Sequence, residues 1–332
     1  MNRAMSTETS FNCDDKEPPE AARGDKPPLA LIAGPTASGK SDLAVRLALA
    51  LAVRGRRGVV INADSAQVYS DLSLLSARPS TEEMQGVEHR LFGAWDGAQA
   101  CSAADWALAA WQEVETAQNE DAVPILVGGT GLYIRTLLDG IAPVPEIDPE
   151  VRTAVRALPV AEAYAALRQE DPERAEALSP ADSARISRAL EVVRSTGRGL
   201  KAWQAETVGG IAGKVTLHPA ILLPDRQTLY ARCDLRFARM LEHGAIAEVE
   251  ALLARNLDPA LPVMRAIGVP EIAGYLRGEW ALEEAQTRGA QATRNYAKRQ
   301  FTWLRHQPPA DWPRHETEPF SEETLFETLF HI

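Results

Sequence analysis

Residues Gly34 to Val45 read GPTASGKSDLAV. They follow the apolar run LALIA, Leu29 to Ala33, and place Gly34, Gly39, Lys40 and Ser41 in the spacing G-x-x-x-x-G-K-S. An apolar strand, a glycine-rich turn and a run of good helix formers together read as a P-loop. The backbone N–H groups of such a turn converge on an anion. The helix N-terminus adds positive potential, and Lys40 adds a full charge. Gly34, Pro35, Thr36, Ala37, Ser38, Gly39, Lys40 and Ser41 are therefore expected to cradle a polyphosphate, with the Ser41 hydroxyl on a Mg2+ ion.

An alternation extends outward from this loop. Ser38 to about Arg54 has helical periodicity, and GVVINAD (Gly58 to Asp64) reads as a second strand. HRLFGAW (His89 to Trp95) reads as a possible third strand. Ser102 to Gln118 reads as a helix, with Ser102 as N-cap and Asp105 three residues on. VPILVGGTG (Val123 to Gly131) is another apolar strand entering a glycine turn. This rhythm predicts an α/β fold of the P-loop NTPase type, a parallel sheet with helices on both faces. The rhythm stops at APVPEIDPE (Ala142 to Glu150), and residues 142–210 are expected to form an inserted all-helical subdomain. LHPAILLP (Leu217 to Pro224) reads as a returning strand, and helices follow, broken at LPVMRAIGVPE and LRGEW. The expected division is a disordered leader (1–27), a core in two parts (28–141 and 211–306), the insertion between them, and an acidic tail (307–332).

The chain of 332 residues carries a formal net charge of −11, which argues against a general nucleic-acid coat. The charge is uneven: −2 in residues 1–27, −5 in 307–332 and −4 in between. Gln286 to His306 holds five Lys or Arg and no acid, so a local basic surface remains open. Cys13, Cys101 and Cys233 are widely spaced and offer neither a disulfide framework nor a zinc site. No apolar run reaches membrane-spanning length, and no secretory signal is visible. A cytoplasmic protein is expected.

Several further stretches carry chemistry. Asp64 ends a strand, as Gly34 does. In an open parallel sheet both would face the crevice beyond the carboxyl ends of the strands. Asp64 could equally cap the turn that follows. Thr130, in VGGTGLYIRT, lands at the same edge, and its two preceding glycines let backbone approach a ligand. Arg185 and Arg188 share one helical face, which is either a binding surface or ordinary solvated charge. Arg232, Arg236 and Arg239 form a stripe that could clamp phosphate oxygens. ATRNYAKRQFTWLR interleaves Tyr296, Phe301 and Trp303 with Arg294, Lys298, Arg299 and Arg305. That composition suits RNA, or equally a terminal amphipathic helix with its aromatics in the core.

Taken together, GPTASGKS, NADSAQVY, LVGGTGLYIRTLLDG, RISRALEV and AKRQFTWLR resemble, in order and spacing, the tRNA dimethylallyltransferases of bacterial type. The resemblance runs from about Pro28 to His306 and leaves both tails unmatched. The zinc-finger extension of some eukaryotic members has no counterpart among three cysteines. At RAIGVPEI, residues 265–272, Val269 and Pro270 stand where the family usually has Gly-Tyr and a polar residue.

The resemblance implies a reaction. The polyphosphate would be the diphosphate of dimethylallyl diphosphate, and N6 of the adenosine 3′ of the anticodon would attack C1 of the allyl group. Lys40, the loop amides and Mg2+ on Ser41 would stabilise the departing diphosphate, with Arg236 and Arg232 on its distal phosphate. Asp64 would be the general base, and Thr130 would hold the leaving oxygen. The tRNA would meet Asp64, Ser65, Ala66, Gln67, Thr130, Arg152, the stretch Ala184, Arg185, Ile186, Ser187 and Arg188, and Arg265 and Gly268. The base would flip out of the anticodon stack to reach the crevice of a monomeric enzyme. Two rival readings are a prenyltransferase acting on free adenine nucleotides and a P-loop kinase using ATP. A GTPase switch lacks its D-x-x-G and N-K-x-D motifs.

Overall fold

The computed structural model describes residues 26–331. The first part of the core contains β1 (Pro28–Ala33), α1 (Lys40–Val53), β2 (Arg57–Asn62), α2 (Thr81–Met84), β3 (Glu88–Arg90), α3 (Ala103–Asn119), β4 (Ala122–Gly128) and α4 (Gly131–Asp139). Five helices follow: α5 (Pro149–Ala157), α6 (Val160–Glu170), α7 (Pro172–Glu176), α8 (Ser183–Thr196) and α9 (Leu200–Gln204). The chain returns through β5 (Thr216–Leu222), α10 (Arg226–Glu242), α11 (Ala245–Ala254), a 3-10 turn (Val263–Arg265), α12 (Val269–Leu276) and α13 (Leu282–His306). It closes with β6 (Arg314–His315), α14 (Glu322–Leu325) and α15 (Glu327–Phe330).

All six strands are parallel, in the order β3-β2-β4-β1-β5-β6. The central strands are apolar throughout because both faces are covered. Along β1, Ala30 and Ile32 pack toward α1, while Leu29, Leu31 and Ala33 pack toward α3, α4 and the C-terminal helices. The register pairs Ala33 with Gly128 and Asn62 with Val127, so β1, β2 and β4 end at one edge. Their three loops meet there.

The five helices from α5 to α9 pack largely on a core of their own, including Val155, Leu167, Leu178, Ile186 and Leu190. Backbone hydrogen bonds at its neck join Ile141 and Val208 in both directions, each 3.0 Å. The Ser102 cap is a full capping box, as its spacing predicts.

Two expectations need correction. HRLFGAW is not one strand: β3 covers only Glu88–Arg90, and the chain bends at Leu91 (φ 63°) and Gly93 (φ 64°). Trp95 then bridges Tyr69, outside the sheet. Residues 307–332 are not a simple acidic tail. β6 adds the sixth strand beside β5, and Phe320, Phe326 and Leu329 are buried against the α1 face. Several of the segment's acids are paired: Glu322 with Arg46, Glu323 with Arg54 and Glu318 with Arg232. Of the expected leader, residues 1–25 lie outside the described residues. Lys26 and Pro27 accept hydrogen bonds from Thr216 at the start of β5.

Candidate active site

The P-loop turns on two positive φ angles, Ala37 at 64° and Gly39 at 83°. Lys40 opens α1, is 6 % exposed, and among the described residues finds only the Pro35 carbonyl, 3.5 Å from Nζ. Burial lowers its pKa, Arg236 lowers it further, and the Asp64 carboxylate opposes both. A lysine so placed has charge to give to an anion. Among the described residues the buried Ser38 hydroxyl has no partner, and Ser41 is half-buried beside it.

Helix α13 supports the loop from behind. Gln300, 5 % exposed, accepts the Thr36 N–H through Oε1 at 2.8 Å. Nothing in the sequence pattern singles Gln300 out for this role beyond its being an uncharged polar residue on the buried side of a basic helix. The glycines before Thr130 serve protein packing here: a Cβ on Gly128 would lie 2.1 Å from the Ala63 carbonyl oxygen, and one on Gly129 2.3 Å from Gln300 Nε2. They bring β4 against the P-loop and the Asp64 turn, where the expectation was close approach to a ligand.

Asp64 is 6 % exposed, and its Oδ1 accepts the Ala66 N–H at 3.0 Å. It therefore caps its turn and also faces the crevice. Asn62 holds the same turn from both sides, accepting the Asp64 N–H at 2.9 Å and donating to the Asp64 carbonyl at 3.0 Å. Thr130 Oγ1 accepts the Ser65 N–H at 3.0 Å and lies 3.2 Å from Ser65 Oγ. The Tyr296 hydroxyl faces Thr130 and Ser65. Burial first, then the Asp64 charge, pushes its pKa up to about 12. Arg236 reaches Thr36 Oγ1 at 3.3 Å, and burial lowers its pKa.

Two cavities meet at this edge. One of about 630 Å3 is lined by Thr36 to Ser41, Arg232, Arg236 and Arg239. The other, about 300 Å3, is lined by Tyr69, Cys101, Tyr133, Phe237, Tyr296, Arg265 and Arg299. Thr36, Asp64 and Arg236 line both. A polyphosphate site thus opens into a partly aromatic pocket with a carboxylate at the junction.

The other predicted residues are distributed as follows. Gln67 is buried, donates to the Ser76 and Ala77 carbonyls at 3.0 and 2.9 Å, and lines the larger cavity, so it holds the loop that walls that cavity. Arg232 is bound by Glu318 through two bonds of 2.7 Å and is not a free clamp. Ile186 is fully buried in the helical core, so its side chain is closed to RNA. Ala184, Arg185, Arg188 and Arg152 are exposed on the helical unit, and Ser187 is half-buried. Gly268, at φ 96°, caps α12, and a Cβ there would meet Leu75 at 2.5 Å. Val269 is buried, while Pro270 lies in the first turn of α12, where a missing N–H costs nothing.

The sheet, the loop and the joined cavities define a P-loop enzyme that brings a polyphosphate against a second substrate. Residues 67–307 match the family described as IPP transferase. A relative in Erythrobacter litoralis named tRNA dimethylallyltransferase is 66% identical over 92% of this chain and 97% of its own. One of the same name in Novosphingobium aromaticivorans is 68% identical over 84% and 99%. The chain belongs to the IPP transferase family. Among solved structures, the tRNA isopentenylpyrophosphate transferase of Bacillus halodurans aligns with TM-score 0.64 and 30% identity, covering 92% and 94% of the two chains. A eukaryotic dimethylallyltransferase described as acting on tRNA aligns with TM-score 0.71 and 27% identity, covering 84% and 70%.

Proposed function

We propose that this enzyme transfers the dimethylallyl group of dimethylallyl diphosphate to N6 of the adenosine 3′ of the anticodon in tRNA, releasing diphosphate. The observation that carries the reading is the junction of the two cavities at Thr36, Asp64 and Arg236. The diphosphate lies along the P-loop, with the allyl carbon pointing through the junction. The flipped adenine enters from the aromatic side, where Arg265 and Arg299 meet the RNA backbone.

As the allylic C–O bond breaks, negative charge grows on the diphosphate. Lys40, the loop amides and Arg236 are already oriented toward it, and being buried they act in a medium that screens little. The adenine amine must lose a proton as the C–N bond forms, and Asp64 is placed to accept it. Thr130, tied to Ser65, holds the turn that follows Asp64.

Among the described residues, no group of three His, Cys, Asp or Glu side chains is placed to hold a metal. The Ser41 hydroxyl, a hard-oxygen donor on the P-loop cavity, would fit a Mg2+ ion held together with the diphosphate. Such an ion would supply charge stabilisation to the leaving group. We take the enzyme to act on tRNA as a monomer in the cytoplasm.

Incubation with unmodified tRNA, Mg2+ and dimethylallyl diphosphate, followed by nucleoside mass analysis, should reveal a prenylated adenosine. Prenylation of free AMP but not of tRNA would overturn the substrate assignment. Phosphoryl transfer from ATP without prenylation would overturn the reaction. The names of the relatives favour neither rival.

A further inference from the structure

Glu191 is an ionisable residue in the middle of α8, 2 % exposed, beside the apolar core of the helical unit. A buried carboxylate is unfavourable unless paired. Its Oε1 accepts Arg156 Nε from α5 at 2.9 Å, and its Oε2 lies 4.0 Å from Arg188 Nη1, one turn back on its own helix. Arg152 and Arg156 both lie close enough to oppose the charge on Arg188. Partial burial lowers the Arg188 pKa most, the two arginines lower it further, and Glu191 offsets them. Two guanidinium groups from two helices therefore share one carboxylate beneath them, with Arg152 close beside Arg188.

The outer side of this cluster is open. Arg156 and Arg188 are 64% and 45% exposed at the side chain, and Arg152 is exposed. Among the described residues, neither Nη of Arg156 has a partner, and no hydrogen bond engages the Arg152 side chain. A tie through Nε alone fixes the plane of the Arg156 group and leaves its outward fork free for phosphate oxygens.

We propose that Glu191 is a positioning residue for tRNA: from beneath, it holds Arg156 and Arg188, beside Arg152, as a phosphate-reading patch that includes Arg156. The proposal rests on the tRNA reading of the site. It has an opposite sign to simple electrostatics. Removing a negative charge from under a basic patch should tighten RNA binding if charge alone matters, and weaken it if orientation matters.

The test is steady-state kinetics of Glu191→Gln with tRNA and dimethylallyl diphosphate, with a melting curve beside it. Positioning predicts a KM for tRNA raised roughly tenfold, as expected when charge-assisted bonds lose their geometry. The KM for dimethylallyl diphosphate and the kcat at saturating tRNA should stay within about twofold, because the reacting groups sit on the α/β core. The salt dependence of tRNA binding should flatten by about one unit of slope. A tRNA KM that is unchanged or lower overturns the proposal. So does an equal further rise when Glu191→Gln is added to the Arg156→Gln, Arg188→Gln double variant, since Glu191 would then act through something else. If Glu191→Gln does not fold, Glu191→Asp keeps the charge on a shorter stem. A tRNA KM raised about threefold or more supports the proposal, and an unchanged KM overturns it. Failure of the wild-type enzyme to modify tRNA would instead defeat the function reading itself.

Discussion

Lys40 carries its charge at 6 % exposure with one long contact, to the Pro35 carbonyl at 3.5 Å. That arrangement suits a ligand more than it suits the unliganded fold, a common trade at binding sites. Lys40→Met should melt no lower than wild type without ligand, yet lose the rise in Tm that inorganic diphosphate gives the wild type. A diphosphate-induced rise in the variant equal to that of wild type would remove Lys40 from the site. The pH dependence follows from burial, which lowers the Lys40 pKa in the fold. As pH rises toward the ordinary lysine value of about 10.4, the fold releases this proton before the unfolded chain does. Over that window the unliganded protein should gain stability while diphosphate affinity falls, both measurable by melting with and without ligand. Asp64 allows a sharper comparison, because it both caps its turn and faces the junction. Asp64→Asn keeps size and an acceptor but cannot take the proton, so single-turnover transfer should fall about 10²–10⁴-fold with both substrates still bound. Recovery of the rate at high Mg2+ would instead assign Asp64 to metal holding.

At the scale of elements, the sheet edge is assembled from loops far apart in sequence. The loops after β1, β2 and β4 meet because parallel strands end together, and α13 fixes the first of them through Gln300. The C-terminal segment reaches the same region. Glu318 holds Arg232 of α10 by two bonds of 2.7 Å, and Arg232 lines the polyphosphate cavity. A carboxylate here competes with a phosphate for the same donors. Glu318→Gln should therefore lower the inhibition constant of inorganic diphosphate about two- to fivefold, the modest range expected of a half-exposed pair. An unchanged constant would mean that Arg232 does not reach the ligand. The strands and long helices of this edge were readable from their apolar patterns. The bend at Leu91 was not, because the left-handed backbone there is set by the Tyr69–Trp95 bridge and the packing around it.

At the scale of the molecule, the α/β core carries the chemistry, and the helical unit, joined through the Ile141–Val208 neck, carries the exposed arginines. The last twenty residues complete the core. Phe320, Phe326 and Leu329 are buried against the α1 face, and β6 covers the edge of β5. Deleting residues 313–332 should destabilise the protein by several kcal/mol, since each such side chain contributes about 1.5–3 kcal/mol on burial. Thermal melting of the shortened chain measures it, and an unchanged Tm would show the segment to be an appendage. The P-loop spacing, the parallel sheet, the helical insertion and the positions of Lys40, Asp64 and Thr130 were all determined locally, by spacing and by apolar period, and so were legible in the sequence. The closing segment was hidden because its acidic composition outweighs its scattered apolar residues, among them Phe320, Leu325, Phe326 and Leu329. Only the tertiary structure decided that Arg232 is bound, that Gln67 ties down a loop of the cavity wall, that Ile186 faces inward, that Gln300 supports the P-loop, and that Glu191 gathers arginines. Each of these depends on a partner at least several residues away, and composition and period report only which face a residue occupies, not what meets it there.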